Sequence, residues 1–169
     1  MELLVKKPPG AIRHADNEGC LPIHYASGGL NKCCSILVEA YPGSERIGAM
    51  YGALPFHFAC GGGTLATVKY LYKLYPDAIN HTRTGGYYPI HYTIGSMDVR
   101  DDPTTAMDIV KFLLDCDPNV KLQKGAGVSL LRVACELEPN DSNIEAGIQM
   151  IKTIYDAYPE AIEDDRIAS

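Results

Sequence analysis

One short motif returns along this chain at a nearly fixed interval, and that interval limits the fold more than any other feature. Leu21-Pro22-Ile23-His24, Leu54-Pro55-Phe56-His57 and Tyr88-Pro89-Ile90-His91 are three copies, and the two intervals between their histidines differ by a single position. Ser129-Leu130-Leu131-Arg132 is a degenerate fourth copy, with Arg in place of His. Gly19, Gly52, Gly86 and Gly127 each stand five residues before that His or Arg. A second landmark keeps the same rhythm. Pro9, Pro42, Pro76, Pro118 and Pro159 each follow an apolar stretch, with Tyr41, Tyr75 and Tyr158 directly before three of them. The step from proline to the next motif His is identical from Pro9, Pro42 and Pro76, and one position shorter from Pro118 to Arg132. Both landmarks therefore belong to one unit. A repeat of this length marks a unit too small to bury its apolar face alone, which must stack on its neighbours.

Each landmark has a physical reason. Glycine at the tip supplies the positive φ of a tight, hairpin-like turn. Proline at the start of a first helix loses nothing, since its missing N–H would be unpaired there and its φ is already helical. Small residues follow, as in Ala26-Ser27-Gly28-Gly29 and Ala59-Cys60-Gly61-Gly62-Gly63, and these end the first helix and let helices approach closely. A second helix then carries apolar residues at i, i+3, i+4 and i+7. They are Cys34, Leu37, Val38 and Tyr41 in one copy, Val68, Leu71, Tyr72 and Tyr75 in the next, and Ile151, Ile154, Tyr155 and Tyr158 in the last. That spacing predicts one buried stripe. The proline just beyond disfavours helix at the residue before it and stops the second helix.

The whole pattern resembles the ankyrin repeat, whose hallmark is a period of about 33 positions with Thr-Pro-Leu-His at the first helix. The resemblance spans the chain, with one systematic departure: the family's Thr is Leu21, Leu54, Tyr88 and Ser129 here. The fold it implies is all-α, a solenoid of helix-turn-helix pairs joined by hairpin-like loops. On that alignment residues 1–169 form a single domain: 1–15 end a partial repeat, 16–48 and 49–82 are regular repeats, 83–123 is a long repeat, and 124–169 is a degenerate long one. The extra residues of the two long repeats are expected between their helices, around 96–104 and 138–142, with Asp102 or Thr104, and Asp141 or Ser142, as helix caps. Met1, Leu4 and Val5 align with the stripe of a second helix, so the chain reads as a segment of a longer array whose open ends would self-associate.

The resemblance implies a scaffold that binds another protein through hairpin tips and the exposed face of the first helices. Carried over by motif, the partner-binding positions are Asn17, Glu18 and Cys20; Met50, Tyr51 and Ala53; Thr84, Gly85 and Tyr87; and Gly125, Ala126 and Val128. Met50, Tyr51 and Tyr87 are the apolar and aromatic middle of that row, suited to be its energetic centre. A structural spacer or targeting module of a larger protein is the alternative.

Composition narrows the partner. A net charge of −6 opposes nucleic acid and anionic membrane surfaces, both of which need clustered Lys and Arg. From Glu136 onward the chain is mostly acidic, and no window is apolar enough for a membrane span. The start lacks the features of a secretory signal, so Cys20, Cys33, Cys34, Cys60, Cys116 and Cys135 read as reduced thiols in a cytoplasmic or nuclear setting. Catalytic and metal readings are each weaker than a structural one. His24, His57 and His91 occupy one slot in successive repeats, roughly 10 Å apart at helix-packing distance, too far to share a zinc ion. Cys60 follows His57 by three residues but has no orienting carboxylate. Gly61-Gly62-Gly63-Thr64 lacks the lysine of a phosphate loop, and Asp98, Asp101 and Asp102 lack EF-hand spacing. No catalytic residue, cofactor or metal is expected.

Overall fold

A computed structural model of the chain, described over residues 10–29, 33–100, 102–136 and 144–160, is helical, with no strand among those residues beyond an isolated bridge between Gly125 and Val128. The helices come in pairs. In order they are α1 (Pro22–Gly28) and α2 (Cys33–Ala40), α3 (Pro55–Gly62) and α4 (Leu65–Leu74), α5 (Pro89–Gly95) and α6 (Pro103–Cys116), then α7 (Leu130–Cys135) and α8 (Ile144–Ala157). Pro22, Pro55 and Pro89 each take the first helical position, after an extended residue. The second helices stop where the proline rule places them: α4 ends at Leu74 before Tyr75-Pro76, and α6 at Cys116 before Asp117-Pro118.

Two rows of helices share one core. The odd-numbered helices pack one on the next from α1 to α7, and each is backed by the helix that follows it. Behind them α4 packs on α6 and α6 on α8. The core runs through every pair, with Ile23, Cys34, Phe56, Val68, Ile90, Ile109, Leu113, Leu130, Met150 and Ile154 all buried. After the second helices, short 3₁₀ segments return the chain to the front. Pro76–Asn80 buries Ala78 and Ile79, and Pro118–Leu122 buries Val120. One lateral slot repeats with changed chemistry. The Arg13 guanidinium lies 4.7 Å from the Tyr41 ring and that of Arg46 4.5 Å from Tyr75. In the next copy the same positions hold Asn80 and Asp117, joined by a 2.8 Å hydrogen bond.

The first insertion is shared between loop and helix. Two residues separate α3 from α4, whereas the α5–α6 connection is longer, and α6 runs 14 residues where α4 runs 10. Asp102 caps α6, its carboxylate accepting from the Thr104 backbone at 3.0 Å and from the Thr104 and Thr105 hydroxyls at 2.6 and 3.0 Å. Thr104 is therefore held by the cap and is not the cap itself. Arg100 ties the insertion down: its guanidinium donates to Gly63 O (2.9 Å) and Cys60 O (2.6 Å), satisfying carbonyls at the end of α3.

The last second helix departs from its expected stripe. Gly147, Met150 and Ile154 are the buried residues of α8, while Ile151 and Tyr158 are half-buried and Tyr155 is exposed. The stripes of α2 and α4 lie as predicted, with Cys34 and Val38, and Val68 and Leu71, buried. Met1, Leu4, Val5, Asp101, the 138–142 insertion with Asp141 and Ser142, and the segment after Glu160 lie outside the described residues. No helix among the described residues is long and apolar enough to cross a membrane.

Candidate functional site

The repeat histidines act as helix caps. Each imidazole turns back so that Nδ1 accepts the backbone N–H of the residue before the proline: Leu21 to His24 at 2.9 Å, Leu54 to His57 at 3.1 Å and Tyr88 to His91 at 3.3 Å. The backbone N–H of each histidine donates in return to the carbonyl of that same residue. This is one half of a capping box, with histidine at the third helical position and the cap carbonyl in place of a cap side chain. The ring takes up the N–H of the residue before the proline, and that residue's carbonyl takes up the histidine N–H, so both donors are satisfied with Leu or Tyr at the cap. In the fourth copy, where His becomes Arg132, the hydroxyl returns: Ser129 Oγ accepts from the Arg132 backbone at 3.2 Å. His24 Nε2 carries the remaining proton and donates to Ile47 O at 3.0 Å.

All three rings are buried, and burial lowers their pKa. His57 falls to about 4, through burial first and then the adjacent His81, and burial takes His91 to about 4 as well. They are therefore neutral at physiological pH. His81 reaches Gly52 O at 3.2 Å and lies edge-on to His57.

The turns before the odd-numbered helices form a row of fingers. In the first, Asp16 N–H donates to Cys20 O, and the Asp16 carboxylate accepts from the Glu18 and Cys20 backbones. In the second and third, Ala49 pairs with Ala53 and Arg83 with Tyr87 in the same way. The backbone turns back through left-handed residues, Tyr51-Gly52 (φ 68 and 77) and Gly85-Gly86 (φ 98 and 78). The fourth finger is tighter, with Ala126-Gly127 left-handed and Val128 N–H donating to Gly125 O. This shortening accounts for the smaller step from Pro118 to Arg132. Neighbouring fingers are joined by single backbone bonds, Met50 N–H to Glu18 O (2.7 Å) and Thr84 N–H to Tyr51 O (2.6 Å).

Most of the sequence-predicted contact positions face outward on these fingers. Asn17, Glu18, Met50, Tyr51, Thr84, Gly85 and Ala126 are exposed, and Tyr87 and Val128 are half-buried. Cys20, Ala53 and Gly125 are buried, so they belong to the finger bases and not to an open surface. At Gly125 the close neighbour is the His91 ring, which a Cβ there would overlap. Behind the tips lies a groove of about 350 Å³, floored by Cys20 and Ala53 and walled by Met50, Tyr51, Phe58, Arg83 and Tyr92. It continues along the first helices over Tyr25, Gly28, Gly61 and Gly62, and past Tyr87 and Ser96.

Tyr25, Phe58 and Tyr92 are the residues that sequence reasoning missed. Each directly follows a repeat histidine, so they form an aromatic row along the groove. Phe58 meets the His24 ring edge-on at 5.2 Å and Tyr92 meets that of His57 at 5.3 Å, so each aromatic leans on the preceding repeat's cap. Tyr25 donates to Asp16 at 2.5 Å, which lowers the Asp16 pKa and raises that of the phenol. The Arg83 guanidinium lies 5.5 Å from Tyr87 and 5.4 Å from Tyr92, placing one cation among the rings. The face thus offers flat apolar surface, phenol hydroxyls, acids at the Asp16–Glu18 end and a cation in the middle, which is the chemistry of side-chain recognition.

Other reactive groups have local roles. Burial pushes the Cys60 thiol up to about 12, so it stays protonated at neutral pH. Thr64 caps α4, its hydroxyl accepting from the Thr67 backbone at 3.2 Å, so Gly61-Gly62-Gly63-Thr64 is a helix end followed by a helix start. No group of three or more His, Cys, Asp or Glu side chains converges to hold a metal among the described residues. No protein-family model matches the sequence, and no curated protein matches it.

Proposed function

We propose that this chain is an ankyrin-repeat solenoid, a non-catalytic scaffold of the cytoplasm or nucleus that holds another protein across its fingers and the groove behind them. The motif spacing and the two stacked rows of helices support the fold. One observation carries the binding reading. Tyr51 sits at a finger tip with φ 68, a conformation that costs a non-glycine residue roughly 1–2 kcal/mol, yet the residue is 59% exposed. A strained, outward-facing aromatic beside exposed Met50 is the kind of outlier that accompanies a functional surface. With Phe58, Tyr92 and Arg83 behind it, the surface suits an anchor side chain from a partner entering between fingers.

The test compares wild type with a Met50/Tyr51/Tyr87 triple alanine variant and a Phe58/Tyr92 double alanine variant in pull-downs from native extract. Circular dichroism establishes that each variant is folded. A partner retained by wild type and lost by both variants supports the reading. A partner retained by all three places binding elsewhere. Absence of any partner would favour the structural spacer.

A further inference from the structure

The outer face of α8 is apolar and bare. Ile144, Ile148 and Tyr155 are 50%, 63% and 42% exposed, and with half-buried Ile151 they follow an i, i+4, i+7, i+11 spacing, one continuous stripe along the helix. The preceding pair shows what such a stripe is for. Counted back from the proline that ends each unit, Met107 and Val110 before Pro118 hold the places of Ile148 and Ile151 before Pro159. In α6, which has α4 on one side and α8 on the other, Met107 is 6% exposed and Val110 is fully buried. In α8, packed on α6 and α7, Ile148 is open and Ile151 only half-buried. The same face is covered where a next helix exists and uncovered where the described residues provide none.

We propose that this face binds a second copy of the chain, α8 against α8 in antiparallel, two-fold symmetric pairing. The stripe is nearly self-complementary. An axis passing between positions 149 and 150 sets Ile148 against Ile151 of the second copy and Ile144 against Tyr155. The flank matches too. Glu145 and Lys152 are both exposed beside the stripe, and the symmetry brings Lys152 of one copy alongside Glu145 of the other, about 3 Å apart along the helix axis at ~1.5 Å rise per residue. Both such pairs form at once, because a two-fold interface repeats each contact. The paired helix continues the packing by which α8 covers α6, extending an interface that already exists within the chain. The inference rests on α6 and α8 alone, so it stands or falls independently of the finger groove.

The measurement is the mass of the full chain by light scattering coupled to size exclusion, over a wide concentration range. Reducing agent is present so that exposed Cys135 forms no crosslink. Wild type runs at twice the monomer mass and dissociates on dilution. Ile148→Glu, at a position open to solvent, keeps the circular dichroism and melting behaviour of a folded protein and runs as a monomer. Glu145→Lys shifts the mass toward monomer, and adding Lys152→Glu restores the dimer. A wild type that stays monomeric at the highest concentration overturns the proposal, and so does a folded Ile148→Glu variant that still dimerises. Failure of the charge swap to restore the dimer overturns the antiparallel register.

Discussion

Tyr51 faces two opposed demands, and a single substitution separates them. Glycine accepts φ 68 without strain, so Tyr51→Gly is expected to stabilise the fold by about 1 kcal/mol in urea denaturation while weakening partner capture. A loss of stability would show that the ring packs usefully on its neighbours. His57 carries the converse prediction. His57→Ala leaves the Leu54 N–H without its acceptor in a buried setting and is expected to cost roughly 1–3 kcal/mol. An unchanged denaturation midpoint would refute its capping role. The period of the chain made these histidines legible as structural residues, because a catalytic or metal-binding residue has no reason to recur in every unit. Their bonding was not legible. Nothing in a tetrapeptide says that an imidazole will face back toward its own cap, and the fourth copy, where Ser129 and Arg132 change together, makes a different bond, from the Arg132 N–H to the hydroxyl.

At the level of elements, the hydroxyl cap of the fourth copy gives its own test. Ser129→Ala removes the hydroxyl cap of α7, and the expected loss is about 1 kcal/mol, read as a shift in denaturation midpoint. Starts and stops of the helices were readable because proline and glycine act through local backbone rules. The aromatic row was not. Tyr25, Phe58 and Tyr92 sit beside a buried histidine in sequence, and helical periodicity identifies an apolar position without saying whether a neighbour covers it. Tyr155 makes the same point in reverse: its spacing reads as core, but a stripe is buried only where the next helix exists. Arg100 lies in an insertion that carries no periodicity, so its bonds to Gly63 and Cys60 left no trace in the sequence.

Across the whole molecule the buried histidines set a pH dependence. His57 and His91 move from an ordinary value of 6.5 in the unfolded chain to about 4 when folded. Above 6.5 both states are neutral and stability is full. As pH falls from there to about 4, the unfolded chain binds protons that the folded protein resists, so unfolding free energy declines before levelling off for these groups. Urea melts across that window should show the decline, and a flat profile would mean the rings are not held neutral. His57→Gln should flatten the dependence by about one proton's share.

The glycines where α1 and α3 end have a geometric consequence. A Cβ on Gly62 would meet Gly28 O at 2.5 Å, and one on Gly63 would overlap Ser27 O, so the front row touches there through bare backbone. The back row is spaced by rings, with Tyr72 and Phe112 edge-on at 5.6 Å. The separation of the first two units is thus set by methyl groups that are missing, and restoring one, as in Gly62→Ala, would push the ends of α1 and α3 apart.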